Sequence, residues 1–147
     1  MEILPASLRD LPALRRLEQA CFQQDAWPLL DLIAVLTWSG VVRLKAVEDE
    51  QMVGFVAGDL RPGETTAWIA TIGVLPAYQR RGIGRALLRA CEDQLQGQRI
   101  RLCVRTSNRP AIQMYLRAGY ASVDTWRRYY KDGEDALVME KVRPAGL

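Results

Sequence analysis

Thr71-Ile72-Gly73-Val74-Leu75-Pro76-Ala77-Tyr78-Gln79-Arg80-Arg81-Gly82-Ile83-Gly84-Arg85-Ala86 is the stretch that decides the fold. A β-rich run ends, a loop turns, and a helix begins at two glycines. The first N–H groups of a helix have no partner inside it, and the helix dipole favours anions at that end. Glycine lets a ligand approach the backbone closely. Arg80, Arg81 and Arg85 add positive charge. The combination reads as a pyrophosphate cradle. A Walker A loop needs Gly-Lys-Ser/Thr, which is absent. A dinucleotide fingerprint needs a third glycine where Leu87 stands. What remains is Gln79-x-x-Gly82-x-Gly84 after a strand ending in Val74-x-Pro76.

Working outward, the stretch sits inside an alternating series of elements. Met1 to Leu4 reads as a short strand. Ser7 is placed as an N-cap, followed by Leu8, Leu11, Leu14, Leu17 and Cys21 at helical spacing. Trp27-Pro28 opens a second helix from Leu29 to Trp38, stopped by Gly40. Val41 to Val47, Met52 to Leu60 and Thr66 to Val74 read as a three-stranded antiparallel meander. Leu75 to Arg81 is a loop, and Gly82 to Gln96 a helix. Ile100, Leu102 and Val104 alternate with Arg101, Cys103 and Arg105, the period of a strand. Ser107-Asn108-Arg109-Pro110 carries helix-capping chemistry, and Gly119 ends that helix. Tyr120 to Tyr130 and Asp135 to Val142 read as a closing hairpin around Lys131-Asp132-Gly133-Glu134. The order β-α-α-β-β-β-α-β-α-β-β predicts an α+β fold with a mixed, mostly antiparallel sheet and about four helices. Residues 1–142 are expected to form one domain, and 143–147 a frayed tail.

The 147 residues are 49% hydrophobic and 25% charged, the composition of a single globular domain. The chain has no histidine. Ser-His-Asp and Cys-His catalysis and His-based metal sites are thereby excluded, and no metal is expected. Cys21, Cys91 and Cys103 are widely spaced and read as free thiols. The longest apolar run falls short of a membrane span, and the N-terminus lacks the pattern of a signal peptide. A cytoplasmic protein without a membrane partner is expected. Net charge is +3, carried mostly by arginine, which suits bidentate recognition of phosphate or carboxylate. Seven arginines lie between Arg80 and Arg105, against two acids, Glu92 and Asp93. That density reads either as a solvated basic face or as the site of a polyanionic ligand. No aromatic-interleaved basic run points to nucleic acid.

The Gln79-x-x-Gly82-x-Gly84 motif resembles the acyl-CoA motif of the GNAT acyltransferase superfamily. The resemblance continues through Leu102 to Asn108, Ala111, Met114-Tyr115, Ala118-Gly119-Tyr120, Arg127 to Tyr130 and Asp132 to Met139, with Cys21-Phe22 and Trp27-Pro28 upstream. In these segments the chain is similar to the RimI-like ribosomal-protein alanine N-acetyltransferases. The resemblance implies the GNAT fold, with a splayed parallel strand pair, and acetyl-CoA as co-substrate. It implies that Ile72, Gly73 and Val74 meet the pantetheine arm and the thioester, Gly73 suiting a bulge that splays the strand. Gln79, Arg80, Arg81, Gly82, Ile83, Gly84 and Arg85 would hold the pyrophosphate. Asn108 would touch the cofactor, cap its helix, or do both. Tyr115 matches the general acid that protonates the leaving thiolate, and Tyr129 and Tyr130 match a hairpin walling the peptide groove.

Cys103 stands where those enzymes carry a glutamate base. Either Glu64 or Asp59 acts through water, or Cys103 acts as thiolate or acetyl carrier, or the substrate differs. The implied activity is acetyl transfer to a primary amine, foremost the N-terminal α-amine of a protein, by direct attack in a ternary complex. Acetylation of a small amine and a CoA-binding module without catalysis are the alternatives.

Overall fold

The computed structural model describes residues 1–144. Its strands are β1 (Glu2–Pro5), β2 (Val41–Glu48), β3 (Gln51–Asp59), β4 (Thr66–Val74), β5 (Arg99–Arg105), β6 (Ala121–Trp126) and β7 (Ala136–Val142). The α-helices among the described residues are α1 (Leu11–Phe22), α2 (Leu29–Thr37), α3 (Ile83–Gln94) and α4 (Arg109–Arg117). The strands follow the sheet order β1-β2-β3-β4-β5-β7-β6. The chain divides into two compact units, Met1–Asp59 with Ala70–Leu95, and Leu60–Ile69 with the chain from Gln96 onward. β4 contributes residues to both.

In the first unit β1, β2 and β3 pair antiparallel, with a register shift at Ala46/Val47. β3 is buried from Met52 to Gly58, so its apolar run is continuous rather than alternating. Phe55 and Ala57 join a core with Leu14 and Leu17 of α1 and Leu32, Val35 and Leu36 of α2. Gly54 faces α3: a Cβ there would lie 2.8 Å from Leu87 Cδ1 and 3.4 Å from Ile83 Cγ2. Helix α1 begins later than its apolar spacing predicts. Leu8–Asp10 form a 3₁₀ turn, and the Asp10 carboxylate accepts the Ser7 N–H at 2.9 Å. Pro12 then suits the first α-turn, where its missing N–H costs nothing.

In the second unit β4 and β5 run parallel, pairing Thr66–Trp68 with Arg99–Arg101. β7 lies antiparallel between β5 and β6. Ile100, Leu102 and Val104 are buried, as their alternation predicts. The opposite face of β5 carries Arg101, Cys103 and Arg105.

The closing hairpin departs from expectation. β6 ends at Trp126, and Tyr129 and Tyr130 lie in the connection rather than in a strand. Arg128 takes a left-handed φ of 52°, and its N–H is held by the Asp135 carboxylate at 3.0 Å. A left-handed residue and a side-chain acceptor end the ladder that an Asp-Gly turn would have continued. Arg143, expected in a frayed tail, is anchored: its N–H donates to Gln98 O at 2.7 Å and its guanidinium to Gly97 O. The rest of the expected tail, residues 145–147, lies outside the described residues.

Candidate active site

The first unit holds the motif loop. After β4, Pro76–Tyr78 make one 3₁₀ turn, and α3 starts at Ile83 with Gly82 as N-cap. Gly82 has φ 81°, a left-handed value that a side chain disfavours, and the space around its Cβ direction is empty. The first bond of the helix is Ala86 N–H to Gly82 O at 3.0 Å, so the N–H groups of Ile83, Gly84 and Arg85 precede the helical ladder. Arg80 and Arg85 are exposed and make no ion pair among the described residues. Arg81 is engaged, 3.7 Å from Glu48 and stacked 5.2 Å above the Tyr78 ring centroid. The Gln79 side chain donates to Val74 O at 3.0 Å, closing the loop on its own strand. Of the residues assigned to the phosphates, Gln79 therefore staples the loop, and Arg80, Arg85 and the helix N–H groups stay open to a ligand.

Gly73 is small because α1 lies against it. A Cβ there would come within 3.1 Å of Phe22 Cζ and 3.3 Å of Cys21 Sγ. The Cys21 thiol donates to Val74 O at 3.3 Å. Burial and the neighbouring Glu18 charge push that thiol up to about 11. One turn earlier on α1, Glu18 is 1% exposed. Its carboxylate accepts Trp27 N–H at 3.2 Å and the Thr71 hydroxyl at 3.3 Å. Burial raises its pKa above the usual glutamate value against those two bonds. Glu18 and Thr71 were not singled out from the sequence. The signal that could have found Glu18 is its place on the buried stripe of Leu14, Leu17 and Cys21, where a charge is out of pattern.

The second unit holds Cys103, Asn108, Tyr115, Tyr129 and Tyr130. Asn108 caps α4, accepting Ala111 N–H at 3.3 Å. Tyr115 is 5% exposed and meets Tyr120 edge-on at 6.0 Å. Burial, with Tyr130 nearby, raises its phenol pKa and keeps it protonated. Burial pushes the Cys103 thiol up to about 11, which favours its protonated form at neutral pH and disfavours a thiolate. Tyr129, 53% exposed, packs on Trp126 at 5.5 Å and on Tyr130 at 5.1 Å, and Trp126 packs on Trp68 at 5.7 Å.

The tyrosine loop is stitched by charge. Arg105 lies 4.3 Å above the Tyr130 ring and donates to Asp132 at 2.9 Å and to Glu134 at 2.7 Å. Glu134 also accepts Ser107 N–H at 2.8 Å. Those donors hold its carboxyl down at about 2. Arg99 and Arg101 converge on Glu140 at 2.7 and 2.6 Å. The arginine density read from the sequence is therefore largely neutralised on β5, and Arg80 and Arg85 stay open on the motif loop.

The sheet order, the parallel β4/β5 pair and the glycine-rich turn into α3 are those of the fold that the sequence resemblance implies. The chain belongs to the acetyltransferase (GNAT) family, whose pattern matches residues 11–120. It is similar to the N-alpha-acetyltransferase RimI of Mycobacterium tuberculosis, 45% identical over 94 residues, 61% of this chain and 59% of that protein. It is also similar to an N-alpha-acetyltransferase of Sulfurisphaera tokodaii, 43% identical over 75 residues, 48% of this chain and 45% of that protein. These matches span about half the length of each of those two curated relatives. The crystal structure of the ribosomal-protein-S18-alanine N-acetyltransferase from Escherichia coli superposes with a TM-score of 0.86 at 29% identity, covering 99% of this chain and 96% of that one.

Among the described residues no helix is long and apolar enough to cross a membrane, and no group of three His, Cys, Asp or Glu is placed to hold a metal ion.

Proposed function

We propose that the protein transfers the acetyl group of acetyl-CoA to the N-terminal α-amine of a protein. The observation that carries the first half is the turn into α3, which carries helix N–H groups outside the helical ladder, an open Gly82 and the exposed Arg80 and Arg85. An anionic pyrophosphate suits that array. The matched relatives, named as N-alpha-acetyltransferases, support the second half.

In this reading Ile72, Gly73 and Val74 line the pantetheine arm and the thioester. The amine attacks the thioester carbonyl directly, and Tyr115 protonates the departing thiolate. A phenol whose pKa is raised by burial is a reservoir of that proton at neutral pH. Asn108 adds a cofactor contact to its capping role, and Tyr129 and Tyr130 line the path of the acceptor peptide. We place the enzyme in the cytoplasm, working without a metal, a membrane or a nucleic-acid partner. The carboxylate pairing of Arg99, Arg101 and Arg105 speaks against a polyanion along β5.

An α-amine has a pKa of ~7.7–8.0 and a lysine side chain ~10.4. At pH 7 roughly a tenth of the α-amine is neutral, against about 0.04% of lysine. Cys103, a half-buried thiol with a raised pKa, is a poor candidate for the base. The α-amine, easier to deprotonate by ~2.4–2.7 pK units whichever group takes the proton, is thus the acceptor that suits the site. The test is incubation with acetyl-CoA and a peptide panel, reading released CoA thiol. Transfer to free α-amines is expected. Transfer to small amines alone would move the assignment to the alternative substrate class, and binding of CoA without turnover would make this a non-catalytic module.

A further inference from the structure

The ammonium form of the acceptor must lose a proton before its nitrogen can attack, and Cys103 is a poor candidate to take it. We infer that the hydroxyl of Thr71 passes this proton to Glu18. The inference rests on the acetyl-transfer reading above and supplies the proton acceptor that reading lacks.

The geometry lies within one unit. Glu18 projects from α1 onto β4, where its carboxylate accepts the Thr71 hydroxyl proton at 3.3 Å. Thr71 directly precedes Ile72, the first of the residues assigned to the thioester. Its side chain is half-buried, whereas Glu18 is closed off. The other carboxylate oxygen accepts Trp27 N–H from the turn before α2. On α1 itself the Cys21 thiol is the titratable neighbour whose charge couples to Glu18. From β4 and from the turn it meets the Thr71 hydroxyl and the Trp27 amide, neither of them charged. Among the described residues no lysine or arginine pairs with it. A buried carboxylate held only by neutral donors is costly to keep ionised, and accepting a proton relieves that cost. Burial raises its pKa, which makes it a better proton acceptor than an exposed glutamate.

The proton balance closes. The acceptor R–NH₃⁺ gives one proton to Thr71 Oγ as Thr71 gives its own to Glu18, leaving R–NH₂ and a neutral carboxylic acid. The nitrogen bonds to the thioester carbonyl carbon and the C–S bond breaks. A second proton from that nitrogen replaces the one Tyr115 delivers to the thiolate. The products are the amide with one N–H and CoA thiol, and Glu18 returns its proton to solvent. Glu18 acts through Thr71 and is a positioning residue in the reaction.

The test is the pH profile of kcat/KM for an α-amine peptide in the parent, Glu18→Gln, Thr71→Val and Thr71→Ser. Without the relay only the neutral amine reacts, so the loss relative to parent should be up to about tenfold at pH 7 and absent near pH 9, given an amine pKa of ~8, and should grow below pH 7 only until Glu18 itself takes up its proton. Glu18→Gln and Thr71→Val should share that slope, Thr71→Ser should recover the parent profile, and the acetyl-CoA Kd should be unchanged in all. A loss by the same factor at every pH would reduce Glu18 and Thr71 to structural residues and overturn the inference alone. A parent protein that binds acetyl-CoA yet acetylates no α-amine would overturn the acetyl-transfer reading and the inference with it.

Discussion

Replacing Gly54 with alanine tests how β3, β4 and α3 are packed beneath the cofactor loop. The added Cβ would sit 2.8 Å from Leu87 Cδ1, 3.3 Å from the Gly73 carbonyl oxygen and 3.4 Å from Ile83 Cγ2. One of these neighbours is backbone. The nearest belongs to a leucine that is 0% exposed, so its methyl has no open space to turn into. Forcing a methyl into such a site costs roughly 1–3 kcal/mol. Because Gly54 is not left-handed, the alanine recovers about 0.4–1 kcal/mol by restricting the unfolded chain. The net loss is then about 0–2.6 kcal/mol, centred near 1.3, and the central value lowers Tm by about 3–5 °C in a domain of this size. Scanning calorimetry of parent and variant measures it. Acetyl-CoA affinity should fall as well, because Ile83 opens α3. Trimming the partner in Gly54→Ala/Leu87→Ala should cost less than the sum of the two single changes. A higher Tm in Gly54→Ala, or strict additivity in the double variant, would refute this packing argument.

Other outcomes follow from the site. Arg80→Ala and Arg85→Ala each remove a charge-assisted bond worth about 1.5–3 kcal/mol and should raise the KM for acetyl-CoA about 10- to 150-fold with kcat less affected. Arg81→Ala should act more weakly, since Glu48 already holds that guanidinium. Tyr115→Phe should lower kcat by ~10²–10⁴ with the acetyl-CoA Kd unchanged, as measured by steady-state kinetics and calorimetry. Cys103→Ser should keep near-parent activity, and the parent thiol, held up at about 11, should react slowly with iodoacetamide at pH 7. Glu134 has a depressed pKa, so its contribution to stability is present above its unfolded value of 4.5 and is lost as pH falls through about 2. The protection of the Ser107 amide, measured relative to its intrinsic exchange rate at each pH, should fall across that window, and Glu134→Gln should abolish that fall.

The parts of the fold written in local chemistry were legible. The alternation of Ile100, Leu102 and Val104 placed β5, Asn108 placed the start of α4, and Gln79, Gly82 and Gly84 marked the turn into α3. What escaped was set by contacts distant in sequence. Tyr129 and Tyr130 read as strand residues because aromatic, β-rich runs pair locally, yet left-handed Arg128, held by Asp135, ends the ladder before them, and Arg105, 27 positions before Asp132, holds their connection. The bond from the Gln79 side chain to Val74 O, which closes the loop on its own strand, was not legible in the motif. The close approach of Phe22 and Cys21 to Gly73 was likewise not legible in the motif. Glu18 could be recognised as out of pattern on an apolar stripe, but its bond to Thr71, 53 positions away, belongs to the tertiary fold.

The central claim is that this chain moves acetyl from acetyl-CoA to a peptide α-amine. The most direct measurement is mass spectrometry of a peptide carrying both a free N-terminus and an internal lysine, after incubation with acetyl-CoA at pH 7. A single acetyl addition of about 42 Da is expected at the α-amine, and none on the same peptide with a blocked N-terminus. Acetylation of the internal lysine in preference to the α-amine, or an acetyl group trapped on Cys103, would contradict it.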